Sequence, residues 1–230
     1  MDFSNKQVIV TGGTGALGTA VVGLLLQTGA TCVVPYRDEK DAERFPHKAK
    51  AKLVAVSDLS DEASIAKFYS GLDLWASIHV AGGFADADIV DIDKVGLMAQ
   101  IDGNLVSAFL CCRAAVKAMR AAGTGGRIVN VASRQALEPR LGAGMTAYAV
   151  AKAGVAALTV ALAEEVAKSG ILVNAVAPSI MDTPANRKAM PKADFAAWPK
   201  VEEVAATILF LASPENRVTR GAVVPVYGRS

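Results

Sequence analysis

At 230 residues, with 24 Lys and Arg against 22 Asp and Glu, the chain has a net charge of +2 and gives no electrostatic reason to expect a nucleic-acid partner. Apolar residues make up 52% of it, enough for a large core, and no uninterrupted apolar run approaches the roughly 18 residues of a membrane span, so no membrane association is expected. The three cysteines, Cys32, Cys111 and Cys112, are odd in number and two are adjacent, which suits neither a disulfide framework nor a metal site. No metal is expected. The opening residues MDFSNKQVIV lack the pattern of a signal peptide, and with buried free thiols this points to a cytoplasmic setting.

Lys6 to Thr11 reads as a β-strand, followed by GGTGALG and an apolar helix. Strand, glycine turn and helix form the context of a dinucleotide-binding turn, spelled either by Gly13, Gly15 and Gly18 or by Gly12, Gly15 and Gly18. The helix from about Gly15 would direct its N–H groups and positive dipole end at a pyrophosphate. A plain glycine turn is the alternative, and a P-loop is excluded because Thr19, not lysine, follows Gly18. The second strand, Thr31 to Tyr36, ends on a non-acidic residue and then Arg37, which favours NADP(H); Asp38 keeps NAD(H) open. The run HKAKAK, His47 to Lys52, reads as a solvated loop.

A third strand, Ala51 to Val56, precedes Ser57, Asp58 and Leu59, with Ser60 the expected cap of the next helix. Asp58 is either a loop carboxylate or an adenine contact. Leu74 to Val80 is the fourth strand and leads into Ala81, Gly82 and Gly83, small enough to let a cofactor lie on the backbone; His79 within it reads as a satisfied core histidine. Asp93 to Ala122 is a long helical region interrupted at Gly103 and Asn104, each costing roughly 0.5–1 kcal/mol against Ala in a helix interior. A bend serving a functional Asn104 and a mere kink are both compatible with that. The fifth strand, Gly125 to Ser133, delivers a serine at its end. Met145 to Lys168 reads as a helix, Ile171 to Ala177 as the sixth strand, Val201 to Ala212 as a helix and Ala222 to Val226 as the last strand. Pro178 to Pro199 has no clean periodicity and suits a lid over a site, at about 179–199 in the chain.

Alternation of strand and helix predicts one α/β domain over 1–230, a doubly wound parallel sheet of about seven strands with helices on both faces. Ligands of such sheets lie at the strands' carboxyl ends, where Asp38, Asp58, Gly82, Ser133 and Pro178 all fall. On the helix after Ser133, Tyr148 and Lys152 are four residues apart and share a face, so an ammonium there can favour a nearby phenolate. A chance Tyr–Lys pair is the rival reading.

In order and spacing, TGGTGALG, DLS, AGG, GNLVSAF, RIVNVAS, YAVAK, NAVAPSIMDTP and LFLAS together resemble the short-chain dehydrogenase/reductase family over nearly the whole chain. The resemblance implies a Rossmann sheet of order 3-2-1-4-5-6-7. It also implies a catalytic tetrad in which Tyr148 is the general acid/base, Lys152 lowers its pKa and binds the nicotinamide ribose, Ser133 polarises a substrate carbonyl, and Asn104 holds a relay water. Cofactor contacts are implied at Gly12, Thr14, Gly15, Ala16, Leu17, Gly18, Asp58 and Leu59, at Ala81, Gly82, Gly83 and Pro178, and at the carboxamide from Ile180 and Thr183. A homodimer or homotetramer acting on a small-molecule substrate is implied as well.

The pattern also departs from the family. Ala16 stands at the usual middle glycine, HVAG replaces NNAG so that a bond tying the central strand is expected to be missing, Ser179 follows Pro178 where glycine is usual, and the loop between Ser133 and Tyr148 is about two residues longer than in many members. GGTGALG, VAGGF and DTPANRKAMPKADFAAW are similar to the dihydropteridine reductase branch, which usually lacks the serine. The expected activity is NADP(H)-dependent hydride transfer between nicotinamide and a carbonyl or secondary alcohol. Pterin or other C=N reduction is the alternative, and a catalytically silent dinucleotide-binding protein is a third. Met181, Met190, Phe195 and Trp198 are expected to make an apolar substrate pocket, and Arg134 and Arg140 to be surface residues or anion contacts.

Overall fold

The computed structural model describes residues 1–230, and the β-branched runs of the sequence become strands. In chain order the elements begin with β1 (Gln7–Thr11), α1 (Ala16–Gln27), β2 (Thr31–Tyr36), α2 (Glu39–Arg44), β3 (Lys52–Ala55) and α3 (Glu62–Tyr69). Next, β4 (Leu74–His79) leads to α4 (Lys94–Gln100), a π-helical turn (Ile101–Val106) and α5 (Ser107–Ala122). The remainder is β5 (Gly126–Val131), α6 (Arg134–Leu137), α7 (Thr146–Glu165), β6 (Ile171–Pro178), α8 (Pro184–Ala189), α9 (Val201–Ala212) and β7 (Val223–Val226). The seven strands pair in parallel in the order β3-β2-β1-β4-β5-β6-β7, as expected.

Successive strand residues face opposite sides, and each side has its own core. Val8, Val10, Ala76, Ile78 and Val129 meet Val21 and Leu25 of α1 and Ile208 of α9. Ile9, Val33, Ile128 and Val173 meet Ile65 of α3, Cys112 and Met119 of α5 and Ala163 of α7. Strands covered on both faces read as near-continuous apolar runs, and every residue of β5 is buried. The order reverses between β1 and β4, so their carboxyl ends diverge and open a crevice there. By length and composition alone, Lys94–Ala122 and Thr146–Glu165 are apolar enough to cross a membrane. Both pack one side on the sheet, through core residues such as Cys112 and Ala163.

Three sequence expectations change. The cap of α3 is Asp61, whose carboxylate accepts from Ser64 N at 2.7 Å, while Ser60 instead donates to Asp58. The segment after Pro178 contains a helix, α8, started by Thr183 and Pro184, and its Trp198 is buried. The tie to the central strand is present after all. His79 Nδ1 donates to Asn130 Oδ1 at 2.8 Å, so its Nε2 accepts from Ser77 Oγ at 2.9 Å, and Ser77 is in turn bonded to the Tyr69 hydroxyl. Asn130 passes the chain on to Thr159 Oγ1 at 2.9 Å and so to α7. Burial holds this imidazole neutral, its pKa pushed down to about 4 against the opposing Asn130 bond.

Candidate active site

The crevice between β1 and β4 is a cleft of about 870 Å³. Its floor is the glycine turn. Gly12 has φ +66°, and a Cβ there would lie 2.6 Å from Ala81 N; a Cβ on Gly18 would lie 2.0 Å from Gly12 O. Both positions therefore exclude a side chain, which lets β1, α1 and the β4 loop converge. Gly15, extended at φ −77°, caps α1, and Ala16 is an exposed first helical residue with room for its methyl group. No side chain caps the first turn of α1, so its N–H groups face the cleft without a carboxylate or hydroxyl to satisfy them. A pyrophosphate fits this cradle, in charge and in size.

Of the residues expected at a cofactor, Thr14, Leu17, Arg37, Asp58, Leu59, Gly83 and Pro178 line the same cleft as the glycines. Ile180 and Thr183 do not. Ile180 is 41% exposed, and Thr183 is committed to capping α8 by accepting from Asn186 N. At the β2 end, the Asp38 carboxylate accepts from Lys40 N and caps α2, and the Tyr36 hydroxyl donates to Glu39. Arg37 enters none of the chain's ion pairs. Asp58 binds Ser60 through both its backbone N–H and its hydroxyl at 2.7 Å.

At the other end lie Asn104, Ser133, Tyr148 and Lys152. Ser133 ends β5, and Tyr148 and Lys152 stand one turn apart on α7, whose neighbours are mostly small residues that let it approach the sheet. Asn104 sits in the π turn that interrupts the helix at Gly103–Asn104. Its amide donates to Gln100 O and Gly83 O at 3.0 Å, and its Oδ1 accepts from Gly83 N at 3.2 Å. A side chain competing for the carbonyl four residues back accounts for the departure from α geometry there. These bonds lock the β4 loop, and Gly82 is so close that a Cβ would lie 2.5 Å from Asn104 Oδ1 and 3.4 Å from Lys152 Nζ.

Lys152 is 5% exposed and donates to Val131 O at 2.8 Å, with its Nζ 5.9 Å from the Tyr148 ring centre. Burial lowers its pKa to about 8. Burial raises the Tyr148 phenol, and the Ser133 hydroxyl beside it acts the other way. The expected lowering of the phenol by Lys152 is therefore absent from the protein alone, where desolvation prevails. Ser133 is 3% exposed, and its Oγ reaches no partner in good hydrogen-bond geometry, the Tyr148 phenol beside it included. A buried hydroxyl left unmatched in this way costs about 1–3 kcal/mol and points to a ligand group that satisfies it.

A family model described as short chain dehydrogenase matches residues 6–194. The chain belongs to that family. Galactitol 2-dehydrogenase of Rhizobium johnstonii is 34% identical over 246 residues, covering 97% of this chain and 94% of the relative. Cis-4-hydroxycyclohexanecarboxylate dehydrogenase of Sinomonas cyclohexanicum is also 34% identical, covering 98% and 96%. A solved structure described as a short chain dehydrogenase/reductase family protein superposes with a TM-score of 0.88 at 30% identity, covering 99% of this chain and 98% of that one. The chain is accordingly an oxidoreductase, and its family binds a nicotinamide dinucleotide.

Two further groups line the cleft, and the sequence reading gave them no role there. Phe84 lines the cleft and sets its ring edge-to-face on Tyr148 at 5.1 Å; its only signal was its place directly after the two glycines. Ser179 also lines the cleft and donates to Tyr227 O at 2.9 Å, tying the last residues to the rim. Arg134, by contrast, is occupied: it pairs with Glu138, donates to Ser230 O and stacks on Tyr227 at 4.7 Å. Arg140 is exposed and lines a separate shallow groove. Of the four apolar residues expected to make the substrate pocket, only Met181 lines the cleft.

Proposed function

We propose that this protein interconverts a carbonyl compound and a secondary alcohol with NADP(H), using Tyr148 as the general acid/base. One observation carries the reading: the buried hydroxyl of Ser133, without a well-formed hydrogen bond, lies beside the Tyr148 phenol at the end of a cleft whose other end is a glycine cradle. When bound, the nicotinamide supplies or accepts the hydride. Ser133 Oγ and Tyr148 Oη are the two donors that meet negative charge as it develops on the substrate oxygen, and both are already desolvated. In the reducing direction Tyr148 delivers its proton to that oxygen, and a raised phenol is the protonated form that a donor needs at neutral pH.

In this reading Lys152 holds the nicotinamide ribose and Asn104 a water that returns the proton, which their closeness to Gly82 and Gly83 in the same cleft supports. Arg37, unpaired at the end of β2, supports a 2′-phosphate and hence NADP(H) over NAD(H), since Asp38 is spent on its helix. The pterin reading has less support, because a serine hydroxyl without a partner suits a carbonyl oxygen. The names of two relatives, dehydrogenases of galactitol and of a hydroxycyclohexanecarboxylate, agree with hydroxyl chemistry. The test is Tyr148→Phe. Reduction of an accepted ketone should fall by about 10²–10⁴-fold while NADPH still binds. Turnover surviving at the wild-type rate refutes the mechanism.

A further inference from the structure

Phe84 is 60% exposed, although a phenylalanine has every reason to be buried. Single exposed apolar residues are ordinary on a protein surface. This one differs in being fixed at two points and facing the reacting end of the cleft. Immediately before it, Gly83 is bonded through both N–H and C=O to Asn104. Three residues after it, Ala87 N donates to Gly144 O at 3.0 Å, and Ala87 bridges to Met145, which caps α7. The ring between these anchors leans edge-on against Tyr148, at 81° and 5.1 Å, which leaves most of its surface open. Met181 also lines the cleft.

The cation in the lining at this end, the Lys152 ammonium, is already held by Val131 O. The guanidinium of Arg134 is taken up by Glu138, and Asp102 of the π turn adds a carboxylate to the lining. The other charged lining groups, Arg37, Asp38, Asp41 and Asp58, sit at or just beyond the ends of β2 and β3.

We infer that Phe84 is the side wall of the substrate site and that it selects uncharged ketones and alcohols whose reacting carbon belongs to a ring. This rests on the carbonyl reading above. A ring presents one continuous apolar face to the exposed phenyl while its oxygen reaches Ser133 and Tyr148. An open chain must first be fixed in one conformation, which costs side-chain-like rotamer entropy for each bond. Ordering one flexible chain costs about 0.5–1.5 kcal/mol, which gives the ring a preference of up to about tenfold.

The experiment compares cyclohexanone with 2-hexanone, equal in carbon number, following NADPH consumption by wild type, Phe84→Ala and Phe84→Trp. Wild type should favour cyclohexanone by about tenfold in kcat/KM. Phe84→Ala should lose about that factor on cyclohexanone, through KM, and clearly less on 2-hexanone, while Phe84→Trp restores the ratio. Equal losses on both ketones, or a wild type that prefers 2-hexanone, overturn the inference. If the wild type reduces neither ketone, binding replaces turnover as the readout. The wall is then judged by an NMR titration of cyclohexanol into the NADP-saturated protein. Binding about tenfold tighter in wild type than in Phe84→Ala sustains it, and equal binding overturns it.

Discussion

Replacing Lys152 with methionine should change how stability depends on pH, by an amount that the geometry sets. The ammonium is buried against Val131 O with no carboxylate beside it, and its pKa falls from 10.5 to about 8. At about 1.4 kcal/mol per pKa unit, keeping the charge costs the folded state roughly 3 kcal/mol. Below pH 8 both folded and unfolded chains hold the proton, so the full cost is present. Between pH 8 and 10.5 the unfolded chain keeps a proton that the folded chain has released, and stability rises with pH. Above both values the cost is gone.

Urea unfolding of wild type and Lys152→Met, without nucleotide, at pH 7 and near pH 10.5 isolates this effect. Other lysines and tyrosines titrate in both proteins and cancel in the comparison. The variant leaves Val131 O without its donor, which costs about 1 kcal/mol, but that loss is independent of pH. Wild type should gain roughly 3 kcal/mol on the variant between the two pH values. A stability difference that stays flat across that range refutes the reasoning and returns Lys152 to an ordinary surface-like pKa.

His79 supplies the mirror case on the acid side: its folded pKa of about 4 lies below the ordinary 6.5, so stability should fall by roughly 3 kcal/mol as pH drops from 6.5 to 4. Thermal melts of His79→Asn should lack that part of the acid loss; an unchanged acid slope contradicts it. For the nucleotide, Arg37→Ala should weaken NADPH by about tenfold and leave NADH nearly untouched, as read by fluorescence titration, because a guanidinium meets only the 2′-phosphate. Equal weakening of both nucleotides removes the basis for an NADP(H) preference.

The fold was legible because each strand carries a simple signal. β5 and β6 are near-continuous apolar runs, and turn glycines separate them from apolar helices of 3.6-residue period. The order of the strands followed only from the resemblance, since periodicity does not say which strand neighbours which. At the site, Ser133, Tyr148 and Lys152 were legible because strand end and helix turn fix where such residues point. Ile180 and Thr183 fall outside the cleft lining because the segment after Pro178 has its own local chemistry: Thr183 and Pro184 begin a helix, and the Thr183 hydroxyl accepts from Asn186 N there. Trp198 looked like a pocket residue for want of any sign that the chain turns it inward. Phe84 was passed over for the opposite reason, since an exposed aromatic in a loop has no periodic pattern to mark it. His79 was read correctly as a core residue, but its bond to Asn130 required the β4–β5 register that places the two side by side.

The same burial acts on Tyr148 and Lys152 in opposite directions, and this bears on how the proposed chemistry runs. Each group taken alone is pushed towards its neutral form, the phenol upward and the lysine downward. A neutral phenol can give a proton to a developing alkoxide, so the reducing direction needs no prior ionisation at neutral pH. The oxidising direction needs the phenolate, which burial opposes. The Ser133 hydroxyl offsets part of that, and the cation that the protein holds near the tyrosine is Lys152, at present bonded to Val131 O. At pH values below about 8 that lysine keeps its charge, but the tyrosine then stays protonated. Above it the phenolate becomes more accessible just as the lysine loses the charge that would stabilise it. In the proposed mechanism, a change at Lys152 shifts the pH dependence of alcohol oxidation more than that of ketone reduction, because only the first requires the phenolate.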